Sequence, residues 1–400
     1  MIRVWGGGVY EDHDFFDWCD ANGLLVWQDF MMACEVPLQN DDFCREIARE
    51  AEEVIKKLRQ HPSLALWCGD NECDETFLWK RNRRHLPSMN RITREILPRA
   101  VFMHDTVRDY LPSSPYLCDK IVERGLHYAS PEQHLWGPRD YWKNAFYSSN
   151  TAIFAGETGY HGMPAPASVR KFIPPESLTA RSAENPDWLC HASQPFGDPD
   201  GGCAYRIGLM IGQVKNLFGT AAEDLETFSE QSQIVQAEAM KFLIENFRLK
   251  KWEKTGIIWW NVIDGWPQFS DAVVDFYGER KLAFYCIKNV QSPVLAGFLE
   301  PEAWQIELRA VNDLDREVKI RYRVTDFATG RRELEGEGRV GPDSVAVLDH
   351  LKICQAEQRI LKIDFEYDGK DHVNHYLQGG LPVDFDFYRS WLKEARQLYR

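Results

Sequence analysis

Leu64-Ala65-Leu66-Trp67-Cys68-Gly69-Asp70-Asn71-Glu72 is a short apolar run that breaks at a glycine into a group of polar side chains. Leu64–Trp67 has the length of a buried strand, and Cys68-Gly69-Asp70-Asn71-Glu72 is then the loop leaving its carboxyl end. The residues before it read as the other half of a β/α unit. From about Asp42 to Gln60, the side chains of Phe43, Ile47, Ala51, Val54, Ile55 and Leu58 share one helix face, and His61-Pro62 stops the helix. The alternation extends both ways. Ile2–Trp5 and Leu24–Trp27 read as strands separated by a helix over Asp14–Ala21. Downstream come a helix at Met89–Tyr110, a short strand near Tyr116-Leu117 and a weaker extended segment at His127–Leu135. Thr151–Ala155 is a strand ending in Gly156-Glu157. A helix from about Glu223 to Lys251 repeats Phe228, Val235, Phe242 and Leu249 every seven residues, and Gly256–Trp260 is a last strand. Strands alternating with helices in this way imply parallel β/α units over residues 1–290. The polar stretch from Pro174 to Gly219 is too long for an ordinary connection and reads as a functional loop or insertion.

After Gln291-Ser292-Pro293 the period changes. Val318, Ile320, Tyr322 and Val324 alternate with Lys319, Arg321 and Arg323, the pattern of a strand with one wet face. Trp304–Val311, Ser344–Leu348 and Arg359–Phe365 look similar, Thr329-Gly330 makes a turn, and Asp386–Tyr399 is helical. Residues 297–400 are therefore expected to form a second domain, a small antiparallel β-sandwich with a terminal helix.

Composition narrows the function classes. With 44% hydrophobic residues among 400, the chain has apolar surface for large cores, which excludes disorder and fibrous folds. A net charge of −14 without a basic run longer than Lys-Lys argues against nucleic acid as a partner. No apolar run has the roughly 18–20 residues of a membrane-spanning helix, and the opening residues lack the pattern of a secretion signal. The ten cysteines, including Cys203, contain no Cys-x-x-Cys pair and several sit in apolar segments, as in a cytoplasmic, reducing compartment. Fourteen tryptophans suit either a large aromatic core or a pocket for sugar rings.

Serine-nucleophile, P-loop and HExxH signatures are absent. Gly6-Gly7-Gly8 matches neither nucleotide motif and is read as a tight backbone turn beneath a ligand or a neighbouring loop. The informative residues are two glutamates placed just past strand ends, Glu72 and Glu157. In a β/α barrel such positions face the active site. Two carboxylates across one pocket suffice for glycoside hydrolysis, one protonating the leaving oxygen while the other attacks the anomeric carbon. Either glutamate alone would ordinarily be a solvated or salt-bridged loop residue.

The segments IRVWGGGVYE (2–11), FFDWCDANGLLVWQDFMMAC (15–34), LRQHPSLALWCGDNE (58–72), HLWGPRDYW (134–142), FAGETGYHGMP (154–164) and GIIWWNVIDGWPQFSDAVVDFYG (256–278) together resemble the catalytic barrel of glycoside hydrolase family 2, in particular its β-mannosidase-like branch. The resemblance implies a (β/α)8 TIM barrel followed by an immunoglobulin-like sandwich, and a retaining exo-β-glycosidase that needs no cofactor or metal. By the match, Glu72 is the acid/base and Glu157 the nucleophile. Asn71 is the residue that bonds the sugar 2-hydroxyl. Asp29 matches a pocket carboxylate, or caps the following helix. Trp260 packs on the sugar, or fills the barrel core. Trp5, His134 and Trp136 match other pocket-lining positions, with an ordinary loop histidine as the alternative for His134. β-Mannosides are the expected substrates. A β-galactosidase or β-glucuronidase of the same family, or a non-catalytic carbohydrate-binding remnant, are the alternatives.

The departures carry expectations of their own. Asp70 stands where the family has asparagine, and an ionised carboxylate there is expected to raise the pKa of Glu72. Gly156 replaces the serine that usually precedes the nucleophile, and Asn261 and Ile263 stand where glutamine and asparagine are common. The chain opens inside what would be strand two. A barrel lacking its first strand is expected to be aggregation-prone or weakly active alone, or to need an upstream region or a second copy.

Overall fold

The computed structural model describes residues 1–79, 86–179, 184–192, 205–354 and 357–398; Cys203 and Tyr399 fall outside them. The chain divides into two compact units, Met1–Leu135 with Thr151–Thr158, and Trp136–Asn150 with Gly159–Arg400.

In the first unit, β1 (Ile2–Val4), β2 (Val26–Asp29), β3 (Leu64–Cys68) and β4 (Asp109–Leu111) form a parallel sheet in that order. β5 (Glu132–His134) pairs in parallel with β6 (Phe154–Glu157). The helices are α1 (His13–Asn22), α2 (Asp41–Leu58), α3 (Cys73–Trp79), α4 (Leu97–His104) and α5 (Asp119–Glu123). α2 starts at Asn40, whose side chain accepts the Phe43 N–H, and buries Ala51, Val54, Ile55 and Leu58 against the sheet residues Val26, Leu64 and Trp67. The strand expected over Thr151–Ala155 lies at Phe154–Glu157, so Glu157 is its last residue, and three further readings shift here. The second strand lies two residues later than Leu24–Trp27, because pairing with β3 continues to Asp29 and Cys68. The helix expected over Met89–Tyr110 ends at His104, and Tyr110 lies in β4 opposite Trp67. That pairing takes the strand register the sequence reading had assigned to Tyr116-Leu117, which are not in a strand.

The second unit contains α6 (Ala145–Ser148), α7 (Pro166–Val169), α8 (Pro186–Leu189), α9 (Tyr205–Phe218), α10 (Leu225–Arg248), β7 (Gly256–Ile257) and α11 (Leu282–Val290). α8 and α9 occupy much of the stretch read as a loop between Pro174 and Gly219. Ile207, Met210, Val214 and Leu217 give α9 an apolar face at helical spacing. Then come β8 (Val294–Phe298), β9 (Gln305–Asn312), β10 (Val318–Asp326), β11 (Arg332–Val340), β12 (Ser344–Lys352), β13 (Arg359–Tyr367), β14 (Lys370–Gln378) and α12 (Phe385–Leu398). They make two antiparallel sheets, β11-β10-β13-β14 and β12-β9-β8, with one core between them. β10 buries Val318, Ile320, Tyr322 and Val324 and exposes the lysine and arginines between them, as its alternation requires. No described helix is long and apolar enough to cross a membrane.

Candidate active site

The loops leaving the carboxyl ends of the first unit's strands are stitched together beyond the strands. Asn71 bridges Ala33 on one side and Ser114 on the other. The Asn71 N–H donates to the Met32 carbonyl, the Cys34 N–H to the Asn71 carbonyl, and the Glu72 N–H to the Ser114 carbonyl, all at 2.8–2.9 Å. This lattice holds Glu72 at φ +55°, a backbone state a side chain rarely adopts. On the other pair of strands, a register shift after Gln133 sets His134 beside Glu157, and the Leu135 N–H donates to the Glu157 carbonyl at 2.7 Å.

The side chains so placed converge. His134 Nδ1 lies 2.7 Å from Glu72 Oε1 and 3.5 Å from Glu157 Oε2. One carboxylate oxygen from each glutamate and one imidazole nitrogen fall within 4.8 Å of one another. His134 Nε2 lies 2.9 Å from Ser114 Oγ and 3.6 Å from Glu132 Oε1. Burial alone would lower the imidazole pKa. The charge of Glu157, the hydrogen bond and charge of Glu72, and Glu132 outweigh it and push it up to about 9. Burial likewise works to raise Glu72, but the His134 bond and charge, the Cys34 thiol and Arg3 together hold it below its ordinary value.

This overturns the expectation for Asp70. Burial and the charge of Asp74 push Asp70 itself up to about 8, against the Ser113 hydroxyl and the Cys73 N–H that its carboxyl accepts. Asp70 is thus raised well out of the ordinary carboxylate range, while His134 and Arg3 lower Glu72.

Arg3, absent from the residues singled out by sequence, organises the floor of the site. Its guanidinium, 4% exposed, donates to Asp29 Oδ2 at 2.8 Å and Asn71 Oδ1 at 2.9 Å, and reaches Glu157 Oε1 at 3.4 Å. The signal was available: an arginine amid the apolar residues of a parallel strand covered on both faces has no wet side. Asp29 caps no helix, since Asn40 caps α2. Its fully buried carboxylate takes Arg3, the Gly6 N–H at 3.0 Å and Trp27 Nε1 at 2.8 Å. Gly6 is required there because a Cβ would stand 2.5 Å from the Met32 carbonyl oxygen, the close loop approach that the glycine run implied. Sequence reading also passed over Cys34, whose thiol donates to Glu72 Oε2 at 3.4 Å, and over Ser114 and Glu132. Gly156 has a local cause: a Cβ at that position would lie 1.9 Å from Glu132 Oε1. The Glu132 carboxyl occupies the space a serine would need.

Among the remaining expected residues, Trp5 is half-buried, with its ring lying over Gly7. Trp136 and Trp260 belong to the second unit, where both flank Gly159: a Cβ there would stand 2.9 Å from the Trp136 ring and 2.7 Å from the Trp260 carbonyl oxygen. The Arg139 guanidinium sits 4.0 Å from the Trp136 ring centroid. Elsewhere, Asp17, Asp20 and His61 bring three donor atoms within 4.8 Å. His61 already bonds Asp20 and His13 at 2.8 Å each, tying α1 to the turn before β3.

No family model matches the chain. The chain is similar to a β-mannosidase B of Thermothelomyces thermophilus, 31% identical over 319 residues that cover 74% of this chain and 36% of the relative. It is 28% identical to that of Aspergillus niger over 411 residues, 92% of this chain and 47% of the relative. The crystal structure of a β-D-mannosidase from Dictyoglomus thermophilum superposes with a TM-score of 0.81 at 26% identity, covering 96% of this chain and 46% of that one. An exo-chitosanase from Amycolatopsis orientalis shares the fold, with a TM-score of 0.67 at 15% identity over 94% of this chain and 44% of that one. The chain spans less than half the length of these relatives.

Proposed function

We propose, for a chain that is a β-mannosidase-like protein of glycoside hydrolase family 2, that Glu157 and Glu72 carry out retaining hydrolysis of terminal β-linked sugars, β-mannosides first among them. In this reading Glu157 attacks the anomeric carbon to give a glycosyl-enzyme. Glu72 protonates the departing oxygen and then takes the proton of the water that releases the sugar. The observation that carries the reading is the closeness of the two carboxylates, with oxygens within 4.8 Å. Double displacement uses carboxyl groups about 5–5.5 Å apart, whereas an inverting pair stands about 6.5–9.5 Å apart to admit water. Arg3 supports the assignment by turning a guanidinium toward Glu157 while Asp29 holds that guanidinium from behind. Asn71, its amide oxygen fixed by Arg3, is the group proposed for the 2-hydroxyl, and Trp5 is the proposed aromatic wall.

The finer architecture belongs to the same proposal. β1 to β6 would be strands of the β/α barrel that the sequence resemblance implies. The chemistry asks for no cofactor, and carbohydrate is the only partner it requires. The test is turnover of aryl β-mannoside, β-galactoside and β-glucuronide by the chain and by Glu157→Ala. Mannoside turnover lost in the variant, with the β-configured sugar as first product, is the expected result. Preference for another glycoside reassigns the sugar. Sugar binding without turnover by the parent would replace the hydrolase with a binding module.

A further inference from the structure

Resting on the reading above, we propose that His134 holds, in the free protein, the proton that Glu72 delivers to the departing oxygen. His134 is then a positioning residue whose imidazole acts through Glu72, and it is not a sugar contact.

The geometry leaves the imidazole little else to do. Its side chain is 1% exposed, and both nitrogens are engaged by protein groups. Nδ1 faces Glu72 in the loop after β3 and Glu157 on β6; Nε2 faces the Ser114 hydroxyl after β4 and, on its own strand, Glu132. The Arg3 guanidinium on β1 stands 3.4 Å from Nε2, already committed to Asp29 on β2. Three carboxylates against one guanidinium favour the imidazolium. With Glu72 and Glu157 both ionised, the trio carries a net charge of −1.

The proton then moves as follows. Positive charge growing on the sugar ring beside Glu157 weakens one of the attractions holding the proton on His134. The Nδ1–H bond breaks as an O–H bond forms on Glu72, leaving neutral imidazole. The acid passes the proton to the leaving oxygen while the Glu157–carbon bond forms and the glycosidic bond breaks. Glu72 is again a carboxylate, Glu157 a neutral ester and His134 neutral, so the trio stays at −1. Water then attacks the anomeric carbon, the ester bond breaks, and the water's proton passes through Glu72 back to His134.

Two measurements on the full chain test this. The first follows His134 by imidazole nitrogen NMR, with His134→Gln to assign the signal. A doubly protonated ring through pH 8, turning neutral at least one pH unit lower in Glu72→Gln, is expected; a neutral ring at pH 7.5 in the parent overturns the proposal. The second compares His134→Gln with the parent on aryl glycosides of good and poor leaving group. The alkaline limb of kcat/KM should move at least one unit toward acid, and the poor leaving group should lose at least tenfold more rate than the good one. Equal losses with an unmoved limb overturn it, since a merely structural histidine would give that result. An inactive parent with a charged His134 sinks the hydrolase reading and with it the delivery step, leaving only the charged imidazole; an active parent with a neutral His134 sinks this inference alone.

Discussion

Replacing Arg3 with methionine removes the cation that Asp29, Asn71 and Glu157 share. The Asp29 carboxylate behind it is completely buried, and Arg3 is 4% exposed. At a charge separation of about 4 Å and an effective dielectric near 20, their attraction is about 4 kcal/mol. Asn71 and Glu157 each lose a donor as well. Asp29 keeps the Gly6 N–H and Trp27 Nε1, which soften the loss without neutralising the charge. Breaking a buried pair from one side costs about 3–5 kcal/mol, and that is the expected destabilisation of Arg3→Met. Urea denaturation followed by tryptophan fluorescence reads it. Adding Asp29→Asn removes the orphaned charge, so the double variant should recover about 2 kcal/mol or more relative to Arg3→Met. A loss below about 1 kcal/mol for Arg3→Met, or simple additivity in the double variant, would refute the account of Arg3 as the ionic support of the site.

Asp70→Asn should hold or gain stability at pH 8. A carboxyl raised by burial to about 8 favours the fold below the unfolded value and loses that contribution as pH rises through 8, so the variant's stability curve should be flatter between pH 4 and 8. Glu238 behaves oppositely. Burial would raise it, but the charge and bond of His375, together with Lys241 and Tyr388, lower it to about 2. Its contribution is present above the unfolded carboxylate value near 4.5 and is lost as pH falls toward 2, so thermal melts of Glu238→Gln should lack that acid decline. Gly156→Ser should cost about 1–3 kcal/mol by driving a Cβ into Glu132, and Glu132→Ala in the same chain should recover most of it in the same urea assay. A neutral Gly156→Ser would show that Glu132 does not fill that space.

Legibility in the sequence followed how local each determinant is. Strand and helix alternation sets the parallel sheet, and period-two patterning gave β10 and β13 with their buried faces, because each side chain's fate depends on neighbours two or four residues away. Glu72 and Glu157 were visible for the same reason, as glutamates directly after apolar runs. The break between α4 and β4 was not. Periodicity cannot distinguish a continued helix from a chain that turns at Asp105 to pair Tyr110 with Trp67, a partner more than forty residues away. The apolar face of α9 was hidden by the polar residues preceding it.

The electrostatic state of the site lay further still from the sequence, and its sign came out reversed for a reason that can be followed atom by atom. From the chain alone, Asp70 is two residues from Glu72 and reads as its natural neighbour. In the folded unit the Asp70 carboxyl accepts from Ser113 and the Cys73 N–H in a closed pocket, whereas Glu72 meets His134, sixty-two residues away, and Arg3. Adjacent residues leaving a strand end point to different surroundings, so proximity in sequence overstates their coupling. The same argument explains the glycine before Glu157. Read linearly, Gly156 is a missing hydroxyl; read in space, it makes room for a third carboxyl group, Glu132, which with Glu157 and Glu72 surrounds one imidazole. The substitution therefore bears on the charge around His134, and it is this charge, not the side chain absent from position 156, that ties the departure to the proton inventory of the site.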